Sequence, residues 1–174
     1  LNKFDTNKYK LIENKCICGK TKDLIIADKD RYDIPLTTVL CMNCGSVRSN
    51  PYYDEKTLKS FYENEYRQIY SGSKKATNDF FSEQIKIGGK IIKYIEKKSD
   101  YFVDGRKVFE IGCGAGGILK AFKDRGCQVF GCDFGKEYLL KGRKEGLELV
   151  NGDSSALRSF GKADIVVLNH VLEH

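Results

Sequence analysis

The rhythm of apolar and polar positions divides the chain into three stretches. From 104 onward, short apolar runs alternate with amphipathic segments. Residues 108–111, 128–132 and 148–150 read as strands, and 118–125 and 136–144 as helices. Residues 164–168 form a further strand, apolar on both faces. Such alternation predicts βαβ units and a parallel sheet, hence an α/β fold. Between 51 and 103 the period is helical. Asp54 is placed to cap a helix on which Leu58, Phe61, Tyr62, Tyr66 and Ile69 share a face, ended by Ser71-Gly72-Ser73. A second helix is predicted over about 78–98, with Phe81, Ile85, Gly88, Ile92 and Ile95 on one side and lysines on the other. Gly88-Gly89 in its middle marks either close helix packing or a kink. Before 50 there are two strand-like runs, 23–27 and 37–40, joined by a turn region at 28–35. The expected organisation is a small module over 1–50, connecting helices over 51–103, and a sheet domain over 104–174.

Composition narrows the class. The chain has 174 residues and is 41% hydrophobic, enough for a packed core and against disorder. It lacks a continuous apolar run of the length, about 18 residues, that spans a membrane. Residues 1–15 are polar and lysine-rich, so a secretory signal is not expected. Residues 1–106 carry 20 basic and 15 acidic groups, a balance of +5, and residues 107–174 carry 10 and 9, a balance of +1. That excess, without aromatics interleaved on a basic stripe, reads as a solvated lysine surface; nucleic acid is not the expected partner.

The cysteines carry chemistry. There are seven, an odd number that disfavours a complete disulfide framework. Four form two close pairs, Cys16/Cys18 and Cys41/Cys44, separated by 22 residues and each followed by glycine. A tetrahedral zinc wants four soft ligands, and two hairpin-borne pairs supply them. With every position filled by sulfur, the metal would be structural. A redox dithiol at Cys41-x-x-Cys44 and four ordinary core cysteines are the competing readings. The redox one suffers because Gly45-Ser46-Val47 does not open a helix. Paired thiols without a signal segment point to a reducing, cytoplasmic setting.

The second constellation is 108–117, Val-Phe-Glu-Ile-Gly-Cys-Gly-Ala-Gly-Gly, a strand running through glycines into a helix. Gly112, Gly114 and Gly117 satisfy the dinucleotide pattern G-x-G-x-x-G, and Asp133, 21 residues after Gly112, suits a ribose in either cofactor class. Glu110, Gly112, Gly114 and Gly116 also satisfy E-x-G-x-G-x-G, which resembles the first motif of class I S-adenosylmethionine-dependent methyltransferases. Downstream, Asn151-Gly152-Asp153-Ser154 and His170-Val171-Leu172-Glu173-His174 resemble the segments after the third and fourth strands of that family. A nicotinamide or flavin site and a ligand-free glycine turn are the alternatives. The resemblance implies a Rossmann-like sheet in the order 3-2-1-4 and S-adenosylmethionine as cofactor. It implies cofactor contacts from Glu110, Gly112, Cys113, Gly114, Ala115, Gly116, Asp133, Phe134, Asp153, Ser154 and Asn169. The glycine loop would hold the methionine end, Asp133 the ribose and Asp153 the adenine.

The likeness extends upstream. The cysteine module, Asp30-Arg31-Tyr32, Asn50-Pro51 and F-Y-x-x-E-Y-R at 61–67 resemble bacterial methyltransferases with an N-terminal zinc-binding domain, a group that includes enzymes of sugar and surface-polysaccharide biosynthesis. A nucleotide sugar or glycan is therefore the expected acceptor. An RNA- or protein-modifying enzyme, or a binding module with a vestigial methyltransferase domain, is the alternative. His170 and His174 are the only histidines and the candidate bases for a hydroxyl acceptor. Leu172-Glu173-His174 is also how a C-terminal histidine tag begins. Members of the family continue past the fourth strand, so the chain is expected to be an inactive fragment with weakened cofactor binding, in which either the exposed strand at 165–168 self-associates or the last residues are disordered.

Overall fold

The structure, a computed structural model, describes residues 10–30 and 33–172. Arg31, Tyr32, Glu173 and His174 therefore lie outside the described residues, as does the N-terminal segment 1–9. The chain forms two compact units, Leu1–Phe61 and Tyr62–His174. The boundary falls within the stretch read from sequence as connecting helices.

In the first unit, β2 (Asp23–Lys29), β3 (Pro35–Cys41) and β4 (Val47–Ser49) make an antiparallel sheet in the order β2-β3-β4. β1 (Leu11–Ile12) pairs antiparallel with β5 (Tyr52–Tyr53). Neither of these two-residue strands, nor β4, has enough length to show a period in the sequence. Arg48 ties the sheet together through a two-toothed ion pair with Asp23, at 3.0 and 2.6 Å. Asp54 accepts the Thr57 N–H at 2.8 Å and so starts α1 (Glu55–Asn64) as expected.

The single helix expected over 54–70 is broken at Glu65, and α2 (Tyr66–Ser71) follows. The break falls among Phe61, Tyr62 and Tyr66, aromatic residues that lose side-chain freedom in a helix. Tyr62 and Tyr66 meet at 5.0 Å between ring centroids. α3 (Asn78–Ser99) runs unbroken through both glycines, capped by the Thr77 hydroxyl, which accepts the Phe80 N–H at 3.1 Å.

The second unit is a four-stranded parallel sheet with order β8-β7-β6-β9. Its strands are β6 (Lys107–Ile111), β7 (Gln128–Asp133), β8 (Glu148–Asn151) and β9 (Ile165–Leu168). This is the order 3-2-1-4 expected from sequence. α4 (Gly117–Asp124) connects β6 to β7, and α5 (Lys136–Lys144) connects β7 to β8. A 3-10 segment, Ser154–Phe160, precedes β9 and was not expected from the sequence pattern. Alternation along the strands sorts two cores. Val108, Val129 and Val167 face α3, α4 and α5, packing on Ile118, Phe122 and Leu139. Phe109 and Cys132 face the other way, onto Leu157. Phe130 stacks on Phe160 there, with centroids 4.4 Å apart.

Candidate functional site

The C-terminal ends of parallel strands are where open α/β sheets bind ligands. At the end of β6 the chain turns through the glycine loop. Gly112, Gly114 and Gly116 have φ of 69°, 56° and 76°, a region that side-chain-bearing residues rarely adopt. The loop keeps its contact with the next strand, the Cys113 N–H donating to the Cys132 carbonyl at 3.0 Å. Gly117 opens α4 where no larger residue fits, because a Cβ there would stand 2.6 Å from the Phe81 carbonyl oxygen. Cys113 and Ala115 are fully buried, so what the loop shows to a ligand is backbone.

Asp133 closes β7 and turns its carboxylate toward this loop. Oδ2 accepts the Gly114 N–H at 2.8 Å, and Oδ1 accepts the Gly135 N–H at 2.7 Å. The carboxylate is thus fixed by two backbone donors, one from each turn. Phe134 follows, half-buried. Asn151, at the end of β8, donates from Nδ2 to the carbonyls of Asp133 and Phe134, both at 3.0 Å, and locks the neighbouring strand end in place.

Glu110 lies beneath the loop on the same sheet face as Val108, 2% exposed. Its Oε2 has no hydrogen-bond partner among the described residues. Burial, with the Asp133 charge adding to it, pushes this carboxyl well above the usual carboxylate range, against the pull of the Leu119 N–H. Burial likewise raises the Cys113 thiol, and Cys132 to about 11. Neither is a thiolate ready for nucleophilic work.

The remaining expected residues lie along the same strand ends. Asp153 is exposed and caps the 3-10 segment, accepting the Ser155 N–H at 2.8 Å; Ser154 beside it is exposed. Asn169 is half-buried just after β9. His170 is exposed and holds φ at 55°, a left-handed conformation unusual for histidine. The next side chain, Val171, covers Gly112, where a Cβ would meet it at 2.7 Å.

Two residues that sequence reasoning did not assign also stand at the loop. Arg67, from α2, approaches Asp133 Oδ2 at 3.3 Å. Gln84, from α3, accepts the Gly117 N–H at 3.3 Å and lies near Gly114. Arg67 belongs to the F-Y-x-x-E-Y-R string, which signalled it without giving it a role.

In the first unit, the ligand sulfurs of Cys16, Cys18, Cys41 and Cys44 all lie within 4.8 Å of one another. Cys16 and Cys44 are 3.5 Å apart, and Cys18 and Cys41 3.7 Å. Four sulfurs at about 2.3 Å from one zinc would stand about 3.8 Å apart, so the set fits a tetrahedral metal. Both pairs sit on matching turns: the Gly19 N–H bonds the Cys16 carbonyl at 2.7 Å, and the Gly45 N–H the Cys41 carbonyl at 2.9 Å. The Cys18 N–H helps to draw Cys16 down to about 6, although burial opposes it. Cys44, despite the Ser46 N–H beside it, is pushed up to about 12 by the other sulfurs. Thiols so crowded resist ionising together, and a dication relieves that repulsion.

The second unit has the α/β, Rossmann-like fold of methyltransferases, and residues 109–174 match the family model described as "Methyltransferase domain". Among curated relatives, the chain is 35% identical over 78 residues to a ubiquinone biosynthesis O-methyltransferase of Stutzerimonas stutzeri (strain A1501), covering 40% of this chain and 34% of that protein. It is 32% identical over 91 residues to the protein of the same name from Vibrio campbellii (strain ATCC BAA-1116), covering 48% and 38%. The chain therefore spans about a third of the length of these relatives. Among solved structures, magnesium protoporphyrin IX methyltransferase of Synechocystis PCC 6803 with bound SAM matches at 20% identity and a TM-score of 0.47, over 71% of this chain and 65% of that one.

Proposed function

We propose that the second unit binds S-adenosylmethionine and that the protein transfers its methyl group to a small-molecule acceptor. The observation that carries this reading is the Asp133 carboxylate, fixed by the Gly114 and Gly135 N–H groups beside a loop that presents only backbone. S-adenosylmethionine supplies an electrophilic methyl group on a sulfonium. The loop of Gly112, Cys113, Gly114, Ala115 and Gly116 receives the methionine end, and Asp133 with Phe134 the ribose. Asp153 and Ser154 take the adenine, and Asn169 is a further cofactor contact. Glu110 supports the loop from below. His170 is the candidate to take a proton from a hydroxyl acceptor; His174, the other candidate, lies outside the described residues. Displacement at a methyl group needs little chemistry from the protein beyond alignment, so orientation supplies much of the rate.

Calorimetry with S-adenosylhomocysteine tests the cofactor. Asp133→Ala removes charge-assisted hydrogen bonds and should weaken binding by about 1.5–3 kcal/mol, or roughly 10- to 150-fold. Binding of NAD with none of S-adenosylmethionine or its demethylated product would overturn the reading.

For the acceptor, the upstream likeness to sugar-modifying enzymes favours a sugar-linked molecule. A phenolic oxygen is the second reading, favoured by the O-methyltransferase names of the curated relatives. Incubating the protein with methyl-labelled cofactor and either nucleotide sugars or catechols separates the two by the mass of the labelled product. Labelling of RNA or protein instead, with binding that weakens steeply in salt, would favour the macromolecular alternative. We further propose that Cys16, Cys18, Cys41 and Cys44 hold one structural zinc.

A further inference from the structure

Arg67 lies across the mouth of the glycine loop. Its guanidinium carbon is 4.3 Å from the centroid of the Tyr138 ring and 5.3 Å from that of Tyr66. One of its nitrogens is 3.3 Å from Asp133 Oδ2, and a Cβ built on Gly114 would meet that nitrogen at 3.2 Å. The pair is largely shielded, with side-chain exposures of 20% for Arg67 and 11% for Asp133. So the space above Gly114, open because glycine has no side chain, is filled by a cation.

Counting acceptor sites on Asp133 shows what this does. An ionised carboxylate offers about four lone-pair sites, two on each oxygen. The Gly135 N–H uses one on Oδ1. The Gly114 N–H and Arg67 use both on Oδ2. A vicinal diol clamped by a carboxylate needs one site on each oxygen, and with Arg67 in place only Oδ1 has one. Withdraw Arg67, and each oxygen keeps one backbone N–H and gains or retains one open site, which is the pattern a ribose diol requires. The backbone donors are built into the turns and cannot leave. Arg67 is held by one 3.3 Å contact and the faces of Tyr138 and Tyr66, on a side chain free to rotate, and can.

We propose that Arg67 is a latch on the cofactor site, paired with Asp133 when the site is empty and displaced from Oδ2 by the ribose of the incoming cofactor. This rests on the reading of Asp133 as the ribose-binding acid. The latch sets the fraction of molecules competent to bind, and the apparent affinity is reduced by that fraction. It also gives the carboxylate of an empty site a counter-charge beside its two backbone donors.

Binding of adenosine, which has the ribose but no charge, and of S-adenosylhomocysteine tests the latch by calorimetry on the purified protein. Arg67→Met keeps the apolar stem over Tyr138 and removes the charge; it should bind adenosine about 3- to 10-fold more tightly than the wild type. Arg67→Ala, which removes the stem as well as the charge, should tighten adenosine binding in the same direction. This second variant keeps the test open if Arg67→Met fails to fold. Unchanged or weaker adenosine binding by a folded Arg67 variant would overturn the latch while leaving the cofactor reading intact, provided S-adenosylhomocysteine binds. If none of these proteins binds either ligand, the ribose assignment of Asp133 falls, and the latch with it.

Discussion

A carboxyl group 2% exposed, with one oxygen unpartnered, holds its proton more tightly in the folded chain than in the unfolded one. For Glu110 the causes are burial first and the neighbouring Asp133 charge second. A raised folded-state value means that the unfolded chain binds fewer protons once the pH exceeds the ordinary 4.5, so stability falls as pH rises from there toward the folded value. Glu110→Gln keeps the shape and the acceptor for the Leu119 N–H but cannot ionise. Denaturant melts should therefore show the variant gaining on the wild type between about pH 4.5 and 7, by at most about 1.4 kcal/mol per pH unit. A constant difference over that range would show that Glu110 ionises as an exposed acid does. The sequence made Glu110, the glycines and Asp133 legible because they stand close together or at a known offset. It could not reveal that Arg67 reaches Asp133, a partner 66 residues away, or that Gln84 reaches Gly117, 33 residues away. Contacts across such separations leave no period in a sequence.

At the scale of elements, the long amphipathic segments and buried strands were legible, because one face of each must be apolar to pack. The 3-10 segment Ser154–Phe160 was not, since a short, irregular turn follows no apolar period. The glycines of α3 were ambiguous between packing and a kink, and the structure separates their roles. A Cβ on Gly88 would stand 2.8 Å from both the Ala121 Cβ and the Ile118 carbonyl oxygen, whereas one on Gly89 meets nothing within 4 Å. Gly88→Ala should therefore force α3 and α4 apart and cost about 1–3 kcal/mol, while Gly89→Ala should stabilise by about 0.4–1 kcal/mol through helix propensity and a less flexible unfolded chain. Paired thermal melts check both signs. Edges make a second case. β2 and β9 each end a sheet, with Ile25 66% and Val166 51% exposed. A polypeptide of these residues should self-associate through β9, and Val166→Lys should reduce the association in sedimentation velocity, because a charge on an edge opposes strand addition. If Ile25→Lys reduces it and Val166→Lys does not, β2 is the strand that pairs.

The whole molecule sets two kinds of stability side by side. The second unit has a continuous apolar core, with Val108, Leu119, Phe122 and Leu139 essentially inaccessible. Among the described residues up to 61, the buried apolar side chains are Cys16, Val39 and Cys41, two of them members of the sulfur cluster. β2 exposes Leu24, Ile25 and Ile26 rather than burying them. One buried aliphatic side chain among these described residues offsets little of their chain entropy by apolar burial. The zinc proposed for the four sulfurs would supply what is missing, with an apparent binding energy of about 10–16 kcal/mol in small zinc domains. Chelation of the purified protein should therefore unfold the first unit while the second keeps its sheet. Limited proteolysis after treatment with a strong zinc chelator should cut within 10–61 and spare 104–168. Calorimetry should still detect S-adenosylhomocysteine binding, and Cys41→Ser should reproduce the cleavage pattern without chelator. Protein purified without metal, yet as resistant over 10–61 as the treated protein is over its sheet, would mean that the sulfurs are held together by something other than zinc.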